Sequence, residues 1–380
     1  MKTLNSKVVY LNHASTSFPK PEKVTQAVSD FVNCIPGMRS GGEGSFSESK
    51  RKISNFFGCD DPSRFLYSQN VSYAINMVLQ GLLVSGMRVV VSSAEHTSIL
   101  RPLYHLKDKG LNVTVINAGD NGVFSVDAIK HVLGQHKVDF ILMTHASNVT
   151  GEIYNISPIV DVAQEHGVKV ILDASQTAGI IPVNVVDLGV DIMFFTGHKS
   201  MMGPLGVGGA YVKDIHLVKP VFYGGTGVNS HSLYQPLNIS ERFEVGTPNE
   251  MSVYALSEAV ELLTTKSMSE KLENNSKLSH ICKNTLKKIP KIKIYESVGG
   301  NGNTGVVLFN LAGHLSRDVS DFLRGVGIYV RGGLQCAPLM HKSIGTYPNG
   351  AVRVSFGCGN TVGDIERLFD ALLELVNSDG

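Results

Sequence analysis

The chain has 380 residues, 43% hydrophobic and 18% charged, which is enough apolar material for a sizeable core and excludes a disordered chain. With 34 basic against 33 acidic side chains the net charge is +1, which gives no electrostatic case for nucleic acid or an acidic membrane surface as partner. The cysteines (Cys34, Cys59, Cys282, Cys336, Cys358) form no C-x-x-C pair and no zinc spacing. There is also no apolar signal core at the N-terminus and no bilayer-length apolar run, so the expectation is a cytoplasmic protein without a metal site.

Val8 to Leu11 reads as a short strand running into the polar turn Asn12-His13-Ala14-Ser15-Thr16-Ser17. Pro19 and Pro21 stop it, and Glu22 to Val32 has the spacing of an amphipathic helix. The glycine-rich run from Pro36 to Gly44 is a loop that is mobile or closely approached by another group. Phe65-Leu66-Tyr67 is a strand, followed by a helix from Tyr73 to Leu83. Ser72 ahead of that helix is either an ordinary N-cap or, with the backbone N–H of Val71, part of an anion cradle.

Strands and helices then alternate. Arg88–Val91, Asn112–Ile116, Val138–Met143, Val168–Leu172 and Val190–Phe195 are continuously apolar, the pattern of strands covered on both faces, with helices at Ser98–Lys109, Ser125–Gly134 and Pro158–His166 between them. Such alternation predicts a mostly parallel sheet with its ligands at the strands' carboxyl ends. His96, Asn148, Asp173 and Gln176 all fall just past those ends. A carboxylate such as Asp173 at the end of an apolar strand is costly unless it has a partner.

After Val190–Phe195 comes Thr196-Gly197-His198-Lys199, then Gly203-Pro204-Leu205-Gly206 and a further strand over Val207–Val212. A lysine between two buried strands is a candidate Schiff-base lysine, because desolvation favours its neutral, nucleophilic form. Met251–Ile289 reads as long helical sequence leading to a smaller α+β unit. That unit has strands at Lys293–Glu296, Gly305–Asn310, Gly327–Arg331 and Val352–Ser355, and helices at Ser316–Leu323 and Val362–Val376. Cys336 lies in a Gly-rich connection five residues after Arg331, which suits an exposed thiol beside positive charge. Arg353, inside an apolar strand, demands an anion.

Thr-Gly-His-Lys followed by Gly-Pro-Leu-Gly resembles the lysine segment of the class V aminotransferases, pyridoxal-phosphate (PLP) enzymes, in their cysteine desulfurase and selenocysteine lyase branch with a short cysteine loop. The order His96, Asn148, Asp173, Gln176, Lys199 is similar to the family residue by residue, as is Arg331-Gly332-Gly333-Leu334-Gln335-Cys336-Ala337-Pro338. The resemblance implies the α/β PLP-dependent transferase fold type I. A large PLP-binding domain (15–255) would hold a mostly parallel sheet of seven-stranded type, and a small α+β domain (1–14 and 256–380) would carry the cysteine loop.

The resemblance also implies roles. Lys199 holds PLP and moves the substrate α-proton, His96 stacks on the ring and relays protons, and Asp173 pairs with the pyridine nitrogen. Asn148 reaches the phenolic oxygen, and Gln176 reaches either that oxygen or the lysine. Val71, Ser72, Thr196 and His198 hold the phosphate, with Thr247 of a Gly-Thr-Pro-Asn turn reaching the neighbouring subunit's cofactor in a homodimer. Arg353, Arg331 and Asn148 bind the amino-acid substrate. The activity implied is conversion of L-cysteine to L-alanine, with a persulfide on Cys336 passed to a sulfur-acceptor protein and selenocysteine as an alternative substrate. A class V aminotransferase or a cysteine S-conjugate C–S lyase would need Lys199 and Asp173 but not Cys336, and a non-catalytic PLP-binding protein is a third reading. Gly42-Glu43, Val71 and Tyr73 depart from the family pattern.

Overall fold

The computed structural model describes residues 8–34, 45–119, 122–236, 242–296, 299 and 302–378. The glycine-rich run 36–44, with Gly42-Glu43, lies outside them. In chain order the elements begin with β1 (Val9–Tyr10), α1 (Glu22–Asn33), α2 (Phe46–Phe56), β2 (Phe65–Ser68), α3 (Val71–Leu82), β3 (Arg88–Ser92), α4 (Thr97–Lys107) and β4 (Asn112–Ile116). They continue with α5 (Val126–Gln135), β5 (Phe140–Thr144), α6 (Ser157–Glu165), β6 (Lys169–Asp173), β7 (Ile192–Thr196), β8 (Gly208–Val212), α7 (Glu250–Val260) and α8 (Thr265–Leu286). The last are β9 (Ile292–Tyr295), β10 (Val306–Leu311), α9 (Ser316–Gly325), β11 (Ile328–Tyr329), α10 (Pro338–Ser343), β12 (Val352–Ser355) and α11 (Val362–Ser378).

The central sheet has seven strands in the order β2-β8-β7-β6-β5-β3-β4. β3 to β7 pair in parallel, whereas β8 runs antiparallel to both β7 and β2. The reversal follows from chain length: Gly197–Val207 is too short to carry the crossover that a parallel partner requires. Successive side chains of each strand enter opposite cores. Val90, Ile141, Met143, Val170, Leu172, Met193 and Phe195 join the cluster on one face. Val89, Val91, Phe140, Leu142, Ile171, Ile192 and Phe194 join the cluster under α3 and α4 on the other. Both faces are covered, hence the unbroken apolar runs in the sequence.

A third core unites Val9 and Leu11 with residues of α8, α9 and α11 around the antiparallel sheet β12-β10-β9. The N-terminal strand reaches it because β1 pairs in parallel with β11. No helix among the described residues is long and apolar enough to cross a membrane.

Three local expectations are corrected. The first helix of the alternating region starts at Val71 rather than Tyr73, because the Asn70 side chain, not Ser72, caps it by accepting from the Tyr73 N–H at 3.1 Å. The span Met251–Ile289 is two helices, since Thr264 caps a new one by accepting from the Ser267 N–H at 3.1 Å. The strand expected over Gly327–Arg331 shrinks to Ile328–Tyr329, while Arg331 forms an isolated antiparallel bridge with Arg353.

Candidate active site

Lys199 occupies the turn between β7 and β8. The Met202 N–H donates to the Lys199 carbonyl and the Gly203 N–H to that of Gly197, each at 2.9 Å. A side chain at either glycine would force a packed neighbour to shift. A Cβ on Gly203 would lie 2.6 Å from Leu256 Cδ1, and one on Gly197 2.8 Å from Val207 Cγ1, so α7 can press directly on the turn. The N-terminal segment grips the turn from the other side: Thr16 Oγ1 (2.9 Å), the Ser17 N–H (3.1 Å) and Lys20 Nζ (2.7 Å) all donate to the His198 carbonyl. Burial pushes the Lys199 amine down to about 8, with Arg353 adding to the fall and Asp173 and Cys336 opposing it. Desolvation outweighs the acidic neighbour, so a useful fraction of the amine is neutral near pH 7.

The strand ends converge on this turn. His96 caps α4, and its Nδ1 accepts from the Ser98 N–H at 3.0 Å. That bond places the ring proton on Nε2. Burial, then the charges of Lys199, Arg353 and Arg101, hold His96 down at about 4, neutral at physiological pH. Asp173 is buried at the end of β6 and its Oδ1 accepts from the Ser175 N–H at 2.9 Å. Gln176 donates through Nε2 to the Ala14 carbonyl at 3.1 Å, and Asn148 through Nδ2 to the Gln335 carbonyl at 2.7 Å. The amide nitrogens of both residues thus hold neighbouring segments in place.

Arg353 is 2% exposed on β12. Its Nη1 donates to the Asn148 carbonyl at 2.7 Å, and its Nη2 to Asn12 Oδ1 at 3.0 Å and Ser15 Oγ at 2.8 Å, while Nε has no hydrogen-bond partner among the described residues. Among the described residues no carboxylate forms an ion pair with it. Burial first, then Arg331, lowers it to about 10. A buried guanidinium among neutral acceptors is stabilised by an anionic ligand, because only an anion offsets the loss of hydration. Arg331 is exposed and lines a cavity of about 480 Å³ together with Cys336.

The Cys336 thiol is exposed. Its backbone and that of Gln335 are left-handed, with φ of +59° and +41°. For non-glycine residues this conformation costs of order 1–3 kcal/mol each and persists only where the surroundings enforce it. Here they do. Buried Gln335 donates through Nε2 to the carbonyls of Ala351 (2.8 Å) and Arg331 (3.2 Å), and its Oε1 meets His341 Nε2 at 2.8 Å. His341 Nδ1 in turn pairs with Thr346 Oγ1 at 2.6 Å. The Cys336 carbonyl accepts from the Thr97 N–H at 2.7 Å, so the thiol loop is fastened to α4 next to His96.

Among the described residues several buried polar atoms find no hydrogen-bond partner, including Thr196 Oγ1, His198 Nδ1 and Ser175 Oγ. Thr196 pairs with Gly208 across the sheet, and a Cβ on Gly208 would lie 2.5 Å from the Val71 nitrogen. The bare glycine thus admits the α3 N-terminus, where Val71 and Ser72 present N–H groups that no carbonyl within the helix can satisfy. Thr196, His198, Val71 and Ser72 form a donor set suited to a phosphate, with Asp173 placed at the end of β6 for a protonated ring nitrogen. The residues present fit PLP.

Thr247 stands apart from this group. It is exposed and lines a second cavity, of about 360 Å³, with Ser68, Gln69 and exposed Tyr73. Sequence reasoning missed Asn12, Ser15, Gln335 and His341 as supports, and it missed Glu95. The Glu95 carboxyl is fully buried, accepts from the Thr144 N–H at 2.6 Å, and is driven well above the usual carboxylate range by burial. The one available signal was a run of polar residues directly after an apolar strand at Asn12 and at Glu95.

This fold and this lysine-centred site define a PLP-dependent enzyme of the α/β type. The family profile described as aminotransferase class V matches residues 9–368, and the chain belongs to that family. Among curated relatives, a probable cysteine desulfurase of Halalkalibacterium halodurans is 28% identical over 384 residues, covering 97% of this chain and 93% of the relative. Among solved structures, the apo cysteine desulfurase of Thermococcus onnurineus NA1 superposes with a TM-score of 0.88 at 27% identity, covering 98% of this chain and 95% of that one. The cysteine desulfurase CsdA (S-sulfonic acid) of Escherichia coli does so with a TM-score of 0.88 at 25% identity, covering 98% and 96%.

Proposed function

We propose that the protein is a PLP-dependent cysteine desulfurase that releases L-alanine from L-cysteine and takes the sulfur onto Cys336. The observation that carries this reading is the placement of one exposed thiol, on a left-handed loop fastened beside His96, within electrostatic reach of both Lys199 and Arg353. An aminotransferase has no use for that arrangement.

PLP, when bound, supplies the electron sink that allows the substrate α-proton and then the C–S bond to be lost. Thr196, His198 and the N–H groups of Val71 and Ser72 would hold its phosphate, and Asp173 its ring nitrogen. Neutral His96, with its proton on Nε2, presents a flat apolar face and a single donor. Arg353, buried and hydrogen-bonded to Asn12, Ser15 and the Asn148 carbonyl, would receive the substrate carboxylate, with Arg331 adding positive charge nearby. Lys199, with its amine near neutrality, moves the α-proton. The Cys336 thiolate attacks the substrate sulfur, a step that C–S cleavage of unactivated cysteine requires because the sulfur is a poor leaving group.

The proposal extends to a cytoplasmic homodimer with two lobes, 15–255 and 1–14 with 256–380, the cysteine loop lying in the second. Its cysteines are free, as in a reducing compartment. Tyr223, Leu233 and Tyr234 are 71%, 100% and 87% exposed in the single chain, and Phe222 and Tyr223 border the same cavity as Thr247. Apolar surface of this extent suits a partner subunit, toward whose cofactor Thr247 would point. Sedimentation velocity should give a dimer, and a fully active monomer would rule out the shared site.

The decisive assay measures alanine and sulfide release from L-cysteine, L-selenocysteine and a panel of S-substituted cysteines, with and without thiol reductant. Release from free L-cysteine that depends on reductant supports the proposal. Turnover of S-substituted cysteines alone would move the protein to C–S lyase chemistry.

A further inference from the structure

We propose that Lys271 is a positioning residue for Lys199: its ammonium ties the turn that carries Lys199 to the turn that follows Asp173 and Gln176. The inference rests on the reading of Lys199 as the residue that holds PLP and moves the α-proton. It concerns what keeps that amine in register with the groups around it.

The first premise is geometric. Lys271 Nζ donates to the Ser200 carbonyl at 2.8 Å and to the Gly179 carbonyl at 3.0 Å. Ser200 directly follows Lys199, and Gly179 closes the segment that begins at Asp173. The two turns touch: Gly179 has a φ of +87°, and a Cβ on it would lie 2.3 Å from the Ser200 carbonyl oxygen. One ammonium thus satisfies a carbonyl from each turn at the point where they meet.

The second premise is that Lys199 is held from both sides. The His198 carbonyl, on the other side of Lys199, accepts from Lys20 Nζ at 2.7 Å. The peptide carbonyls directly before and directly after Lys199 therefore each take a charged donor, one from the N-terminal segment and one from α8. Such bonds are roughly twice as strong as those from neutral donors. α8 is itself well anchored, since Met268 joins the same core cluster as Phe195, and Leu278, Cys282 and Leu286 join the third core.

The third premise is cost. Burial pushes the Lys271 amine down to about 8, with Cys358 opposing the fall and Lys20 adding to it. Burial also lowers Lys20 to about 8. Both amines stay mainly charged near pH 7. Among the described residues neither forms an ion pair. A desolvated ammonium with only neutral partners is unfavourable for stability, and a methionine of similar length would fill the space without that cost. Two such charges beside one functional lysine are the pattern of a site rather than of a core.

The consequence falls on one step. Displacement of a reacting group by about 1 Å can lower a rate by ~10²-fold, so a looser Lys199 slows the α-proton transfer first. Substrate binding is spared, because Arg353 makes its hydrogen bonds to Asn12, Ser15 and Asn148.

The test compares wild type with Lys271→Met, Lys271→Gln and Lys271→Arg. In the cofactor-free chains, amide hydrogen exchange is followed at Met202 and Gly203, whose N–H groups close the Lys199 turn. Exchange there should be about tenfold faster in Lys271→Met. In the PLP-loaded enzymes, kcat for alanine release from L-cysteine should fall roughly 10- to 100-fold in Lys271→Met while KM stays within about twofold. The isotope effect from α-deuterated L-cysteine should exceed that of wild type, because proton transfer has become the slow step. Lys271→Arg keeps a charged donor and should recover most of the loss. Lys271→Gln keeps a neutral donor on a shorter chain, should lie between the other two, and serves as the test variant if Lys271→Met does not fold. Unchanged exchange and kcat overturn the proposal. So does a lower kcat with the wild-type isotope effect, which is the mark of lost folded enzyme alone. Either result leaves the desulfurase reading standing while wild type releases alanine. Wild type that releases no alanine from L-cysteine and fixes no PLP on Lys199 under borohydride overturns both.

Discussion

The backbone N–H of Thr97 donates to the carbonyl of Cys336 at 2.7 Å, which ties the thiol loop directly to the first turn of α4. His96 directly precedes Thr97 and caps the same helix. The group expected to face the cofactor ring and the group expected to take the sulfur are thus held in fixed relation across the two halves of the chain, although 240 positions separate them (336 − 96).

Arg353 should govern substrate affinity. Arg353→Lys keeps a cation but loses the fork that spans Asn148, Asn12 and Ser15. A charge-assisted hydrogen bond contributes about 1.5–3 kcal/mol, so KM for L-cysteine should rise by roughly 10- to 100-fold with the cofactor absorbance unchanged. Cysteamine, which lacks the carboxylate, should lose nothing. An equal loss for both compounds would make the arginine purely structural.

Lys199 sets a pH dependence in the cofactor-free protein. Its amine reacts as the neutral form and is held at about 8, so the neutral fraction, and with it the rate of PLP capture, should rise with pH and level off above that value. Asp173 raises the amine, so Asp173→Asn should move the midpoint down; Arg353 lowers it, so Arg353→Gln should move it up. The check is stopped-flow absorbance across the pH range. A flat profile, or shifts of opposite sign, would contradict this electrostatic account.

The buried chain Gln335–His341–Thr346 should act through the position of the thiol. His341→Ala removes the partner of Gln335 Oε1 and loosens a loop held at positive φ. Displacement of a reacting group by about 1 Å can lower a rate by ~10²-fold, so kcat on L-cysteine should fall steeply while KM and the cofactor spectrum hold. Alkylation of Cys336 by iodoacetamide should change in parallel. A mutant that only lowers Tm, with unaltered kcat, would reduce the network to structural support.

Much of this architecture was legible in the sequence, because both faces of the sheet are covered. Runs such as Val138–Met143 and Val190–Phe195 read as buried strands, which the structure places at Phe140–Thr144 and Ile192–Thr196, and the polar residues that follow them then lie at the strand ends. Asp173 and Lys199 follow from that logic. What stayed hidden depends on contacts between distant segments. Asn12 and Ser15 matter because β1 returns to pair with β11 beside Arg353, which no local pattern encodes. Gln335 looked like a loop residue, and its role appears only when His341 and the Ala351 carbonyl are brought against it. The start of α3 was misplaced because Asn70 and Ser72 are both good caps, and only packing against Gly208 decides between them.

The most direct test of the central claim is mass spectrometry of the PLP-loaded enzyme after L-cysteine, without reductant, alongside Cys336→Ala. The account predicts one added sulfur on the peptide carrying Cys336, removed by dithiothreitol, and alanine release from the mutant at least ~10²-fold below wild type with an unaltered cofactor spectrum. A wild-type rate of alanine release from Cys336→Ala, or a Cys336 peptide that never gains sulfur while alanine accumulates, would contradict it.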